Sequence, residues 1–246
     1  MVSPAAPPAT RLYDTPAPWP WRDTAVAVVL YVGVDWIDAA LVRMGWLPRW
    51  SSTHLVIVLL ARTAVTLGWV RLVYVRAGTT ATTALFGLQA RLTDVPIGAV
   101  AALAILFVEA WVSFIVVRLL GEPASRSAWQ DIANTVGRPA FLVIVVVAIA
   151  TAPVTEELVF RGMLLRTLAA TMPPGKALFV AAAIFGAVHL SPNVPWQANI
   201  DVFLSIAAVG LGLGLLARLS DRLGPGIVAH TLSLVIGFAT IWTTMR

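Results

Sequence analysis

Apolar runs long enough to cross a bilayer recur along almost the whole chain and leave little polar sequence between them. They cover about Ala25 to Leu47, Leu55 to Val75, Ile97 to Leu120, Ala140 to Thr171, Ala177 to Leu190, Ile200 to Ala217 and Gly226 to Trp242. A segment of roughly 20 apolar residues crosses the hydrocarbon as a helix, because a lipid-exposed backbone must satisfy its polar groups internally. Charged residues make up only 12 % of the chain, hydrophobic ones 59 %, and the mean hydropathy is +0.86, whereas an ordinary soluble domain carries roughly 25 % charge. The expected fold is all-α, a polytopic transmembrane bundle of about seven to eight helices. One domain over 23–246 follows a flexible tail over 1–22, which is rich in proline and alanine and lacks the pattern of a signal peptide.

The fourth run is too long for one straight pass, and Pro153 predicts a kink or division there, since proline lacks the backbone N–H and crowds the preceding turn. A helix half starting at Thr155 as N-cap would carry Glu156 and Glu157 in its first turn, where the helix dipole favours negative charge. The fifth run is short, between Pro174 and Pro192, and reads as a helix buried in the bundle. Residues Gly78 to Pro96, with Leu85, Phe86, Leu88 and Leu92 among polar neighbours, predict an interfacial amphipathic helix.

The net charge of +5 does not point to nucleic acid, because the arginines lie at the ends of apolar runs and act as headgroup anchors. Basic residues from Arg166 to Lys176 and from Arg218 to Arg222 place those loops and the N-terminus in the cytoplasm by the positive-inside rule. The preference for arginine and alanine suggests a GC-rich, bacterial source. With no cysteine in the chain, disulfides, thiolate metal sites and cysteine nucleophiles are excluded.

Charge inside the apolar runs is the departure that calls for a function, because an ionised side chain at bilayer depth is costly unless partnered. On a helix Glu157 and Arg161 stand about 40° apart, which predicts an ion pair, while Glu156 points about 140° from Arg161 and is free to face elsewhere. Glu156, set against apolar neighbours, is the candidate general base for water. His189, four residues after Phe185, and His230 lie inside later runs. With a glutamate they supply either a His₂Glu zinc set or a polar cage for one water, and both arrangements can make a nucleophile.

These residues resemble the CAAX prenyl protease and bacteriocin-processing (CPBP, or Abi) intramembrane proteases. The first motif of that family, Glu-Glu-x-x-x-Arg, matches Glu156, Glu157 and Arg161, and the second, Phe-x-x-x-His, matches Phe185 and His189. His230 begins the third, and the resemblance covers about Pro139 to Phe238. It implies hydrolysis of a peptide bond in a membrane-associated protein or peptide. Glu156 and His189 would activate water, Glu157 and Arg161 would support their helix, and His230 would polarise the scissile carbonyl or bind metal. The family has been described as metal-dependent and as metal-free. A divalent metal such as zinc on His189, His230 and Glu156 therefore stays open beside a metal-free Glu and His dyad, which is the reading preferred. The third motif normally continues with Asn or Asp four residues after its histidine, where this chain has Leu234, and Ser233 is the nearest substitute donor.

Leu234 keeps a non-proteolytic scaffold or immunity protein as an alternative, and the intramembrane acids Asp35, Asp38 and Glu109 suggest a proton- or cation-coupled transporter. Pairing of those acids with Arg62 or Arg71 is the plainer expectation. His54 reads as an interfacial residue, Asp201 as a cap or boundary residue, and the tryptophans near span ends as an interfacial belt. The expected partners are membrane lipid and a membrane-associated peptide or protein, with no nucleic acid.

Overall fold

The computed structural model describes residues 12–47, 51–78, 87–121, 128–191 and 195–245. Among these every regular element is helical: α1 (Trp21–Arg43), α2 (Ser52–Arg76), α3 (Asp94–Leu120), α4 (Ala128–Val136), α5 (Arg138–Ala169), α6 (Pro174–Ala187), α7 (Trp196–Ser220) and α8 (Gly224–Thr244). Six of them, α1, α2, α3, α5, α7 and α8, are long and apolar enough to cross a membrane, and α6 is a shorter apolar helix. The all-α bundle and the seven runs are borne out. The short α4 adds one element that the apolar runs do not include. Its Trp129, Ile132 and Val136 form a single helical face that packs on Phe141 and Phe238, while Gln130 donates to Thr244 Oγ1 at 2.8 Å. Gly137, at φ +77°, turns the chain from α4 into α5 in a backbone region that glycine enters without a steric penalty.

Helix α5 is the axis of the bundle. The α1–α2 hairpin, α6, α7 and α8 all pack on it, and α3 lies against α7 and α8. Lipid tails are as apolar as leucine, so such helices associate through close packing and hydrogen bonds. Glycines let the backbones approach: a Cβ on Gly186 of α6 would lie 2.5 Å from Phe203 O of α7, and one on Gly98 of α3 would lie 2.6 Å from the Val228 side chain of α8.

Several expectations need correction. Pro153 lies inside a continuous helix and does not divide it. The irregularity comes four residues later, where Glu157–Leu165 winds as a π-helix before the last α-turn, Arg166–Ala169. Thr155 is accordingly no N-cap. Its hydroxyl donates to Thr151 O at 2.8 Å, the back-bond a threonine makes inside a helix. Of the amphipathic helix expected over 78–96, residues 79–86 lie outside the described residues, 87–93 form no helix, and Asp94 begins α3. Residues 1–11 of the expected tail also lie outside the described residues. Residues 12–20 are packed against the bundle, with Tyr13 and Trp19 buried, and α1 already begins at Trp21. Trp19 reaches the hydroxyls of Thr24 and Thr167, and Leu12 N–H donates to Asp221 Oδ1 at 2.7 Å. An aromatic residue in a proline-rich segment finds an acceptor and a packed surface here, which composition alone does not reveal.

Candidate active site

Glu156 and Glu157 sit where α5 passes from α- to π-helical winding, and every residue from Glu157 to Leu165 is buried. Single π-turns recur at functional sites because the wider turn re-aims side chains. Glu157 Oε1 meets Arg161 Nη1 at 3.0 Å, with exposures of 0 % and 2 %. Charges this deep need further partners to offset their lost hydration. Arg161 Nη2 donates to Gly210 O of α7 at 3.2 Å, and the guanidinium lies 4.3 Å from the centre of the Phe185 ring of α6. A desolvated cation–π contact of this kind is worth about 2 kcal/mol. Gly226 of α8 closes against the same carboxylate, since a Cβ there would lie 2.9 Å from Glu157 Oε2. Tyr13 donates to Arg161 O at 3.3 Å. Burial first, and then the charge of Glu157, hold its phenol well above the ordinary range, so it remains a donor.

Glu156 is oriented separately. Its Oε1 accepts a 2.6 Å hydrogen bond from Tyr31 Oη of α1, and its Oε2 faces His230 Nε2 of α8 at 3.6 Å. The other nitrogen of that imidazole, Nδ1, lies 3.3 Å from Glu157 Oε1. His230 therefore stands between both carboxylates, instead of serving Glu156 alone. The expectation of apolar surroundings for Glu156 is also corrected, because a phenol and an imidazole flank its carboxylate. His189 follows α6, with Nδ1 2.7 Å from Phe185 O. A carbonyl only accepts, so Nδ1 carries the hydrogen and Nε2 of the neutral ring is left as an acceptor. Phe185 packs edge-on to Phe160 at 4.9 Å, to His189 at 4.9 Å and to His230 at 6.3 Å.

The structure thus brings Glu156, Glu157, Arg161, Phe185 and His230 into contact and sets the His189 ring against Phe185. Among the described residues no hydrogen bond joins His189 to Glu156, and no three His, Asp or Glu side chains converge as a set able to hold a metal ion. The donor types suit zinc, but their arrangement does not fit it, and the chemistry below rests on the side chains alone. Ser233 is not aimed at the site: its hydroxyl donates to Ala229 O at 3.0 Å. Leu234 packs against the apolar cluster around Phe141, Ile144 and Phe238.

Outside this centre, Arg62 pairs with Asp35 at 2.9 Å as expected. His54 is not simply interfacial, since its Nε2 meets Asp38 Oδ1. Asp201, expected at a boundary, lies within α7 and accepts from Ser113 of α3 at 3.1 Å and from Ser205 at 3.2 Å. Sequence reasoning missed Tyr31, Tyr13 and the Gly210 carbonyl. A lone tyrosine in an apolar run carries no positional signal, and a backbone acceptor leaves none at all.

Residues 138–236 match the family of Rce1-like type II CAAX prenyl endopeptidases, a stretch that runs from the start of α5 into α8 and contains every motif residue named above. No curated protein and no solved structure matches the chain.

Proposed function

We propose, from the match of residues 138–236 to the Rce1-like type II CAAX prenyl endopeptidases, a glutamate-based hydrolysis of the peptide bond by Glu156, His189 and His230. At the level the family supports, the chain is a CAAX-protease-type intramembrane endopeptidase, an integral multi-pass membrane protein whose substrate is a peptide or protein. The catalytic assignment rests on the difference between the two adjacent acids. Glu157 is consumed by Arg161 and packed under Gly226. Glu156 has one oxygen held by Tyr31 and the other 3.6 Å from His230, beyond the roughly 2.7–3.2 Å of a formed hydrogen bond.

In this reading a water lies between Glu156 Oε2 and His189 Nε2, two acceptors that make no formed hydrogen bond. Glu156 takes its proton as the oxygen attacks the scissile carbonyl carbon. His230 acts as the imidazolium, whose Nδ1–H faces Glu157 Oε1 and whose Nε2–H donates to the oxyanion, and collapse of the tetrahedral species breaks the C–N bond while the proton held by Glu156 passes to the leaving amine. A positioned general base contributes about 10²- to 10⁴-fold, and one oxyanion donor about 10²- to 10³-fold. Arg161, Glu157 and Phe185 hold the helix and the ring on which the two histidines rest.

The test is cleavage of a peptide library in proteoliposomes by wild type and Glu156→Gln. Wild type should cut and the variant should not, and chelation should leave the rate unchanged. Activity lost on chelation and restored by zinc would contradict the mechanism. Leu234 in the apolar cluster carries a second reading, a non-proteolytic scaffold or immunity protein. It would be supported by a Glu156→Gln variant that keeps full cellular function while wild type cuts nothing.

A further inference from the structure

Tyr31 lies outside the region that matches the family, on α1, yet makes the shortest contact to the proposed base. Its Oη stands 2.6 Å from Glu156 Oε1 and both residues are buried, at 4 % exposure each. The phenol is itself fixed on two sides. Its ring packs edge-on to Phe160 of the π-helix at 5.4 Å, and the Arg62 guanidinium of α2 lies 4.9 Å from the ring centre. Arg62 is held in turn by Asp35, one helical turn beyond Tyr31 on α1. The Asp35–Arg62 pair thus braces an aromatic ring that contacts the catalytic carboxylate.

We infer that Tyr31 is a positioning residue for Glu156, that Arg62 and Asp35 brace it, and that the α1–α2 hairpin completes a site whose motifs lie on α5, on α6 and the turn that follows it, and on α8. This inference rests on the protease reading above. A carboxylate has two oxygens on a freely turning terminal bond, and either can rotate toward His230. A phenol that donates to Oε1 fixes that rotation and leaves Oε2 directed at the imidazole. A hydrogen bond to a charged acceptor is stronger than one between neutral groups, so Tyr31 is suited to hold the carboxylate through the reaction cycle. A merely structural phenol would need an acceptor too, but its removal would cost stability and leave turnover alone.

Two readouts on full-length protein separate these roles. In proteoliposomes, Tyr31→Phe should lower kcat by about 10-fold or more, on the order of a lost hydrogen bond to a charged group, with KM within about twofold of wild type. Arg62→Lys, which keeps charge but cannot stack its planar fork on the ring, should give a smaller loss in the same direction. The second readout does not depend on turnover. The infrared carboxylate stretch of Glu156, isolated as wild type minus Glu156→Gln, should shift in Tyr31→Phe relative to the same difference taken in that background. An unshifted band, or kcat equal to wild type with only the melting temperature lowered, would overturn the positioning role. A shifted band with no cleavage by wild type would overturn the protease reading, and with it a role for Tyr31 in turnover, while the contact itself would stand.

Discussion

Helix α5 carries two kinds of interior along one length. Its first half, with Phe141, Ile144 and Ala148, packs against Leu59, Ile132 and Phe238 in an apolar cluster, while the half from Glu156 to Arg161 is packed just as tightly around buried charge. Helix α8 touches both and changes character within one turn, from His230 between the glutamates to Leu234 in the apolar cluster. The apolar half needs only shape, because any apolar atom can fill its space. In the charged half each group requires a particular donor or acceptor from another helix: Gly210 O from α7, the Phe185 ring from α6, His230 from α8, Tyr31 from α1.

That contrast makes substitutions unequal. Glu157→Gln should be the most damaging to stability, since it leaves the Arg161 charge buried without its counter-ion, at a cost of about 3–5 kcal/mol. Thermal unfolding in detergent should show it, and a melting temperature near wild type would mean that another anion serves Arg161. Leu234→Asn brings an amide into the apolar cluster and should cost about 1–3 kcal/mol, with less than a tenfold gain in cleavage rate. A gain of 100-fold would show instead that the amide reaches the oxyanion and that Leu234 had left the site incomplete. Phe141→Leu, an apolar exchange in the apolar half, should cost less than about 1.5 kcal/mol, as chemical denaturation of reconstituted protein would report. Ser233→Ala should fall within about 0.5 kcal/mol of wild type and leave the rate unchanged, because the hydroxyl bonds only to its own helix. A loss of rate in that variant would return Ser233 to the oxyanion site.

The same contrast explains what the sequence disclosed. Spans were legible because the bilayer demands about 20 apolar residues whatever their neighbours, and the runs ending at Val75 and Leu120 stop within a residue of the C-terminal ends of α2 and α3. The Glu157–Arg161 pair was legible as a local relation four residues apart. Winding was not: Pro153 suggested a kink or a division, yet the helix is not divided there and widens later, over residues whose propensities do not mark a π-helix. Partners supplied by other helices were also hidden. Nothing in the run Ala25 to Leu47 sets Tyr31 apart, and nothing near Tyr13 shows that its phenol closes on Arg161 O. The position of His230 between both glutamates requires α8 to cross α5 at one depth, which motif spacing leaves undetermined.

Two adjacent glutamates with different duties should separate in one paired measurement. In proteoliposomes, initial cleavage rate and melting temperature would be recorded together for wild type, Glu156→Gln and Glu157→Gln. Glu156→Gln should lose about 10²- to 10⁴-fold in rate with a melting temperature close to wild type, because the amide oxygen still accepts from Tyr31. Glu157→Gln should lose its fold first. A Glu156→Gln protein that cleaves at the wild-type rate would contradict the assignment of Glu156 as the base.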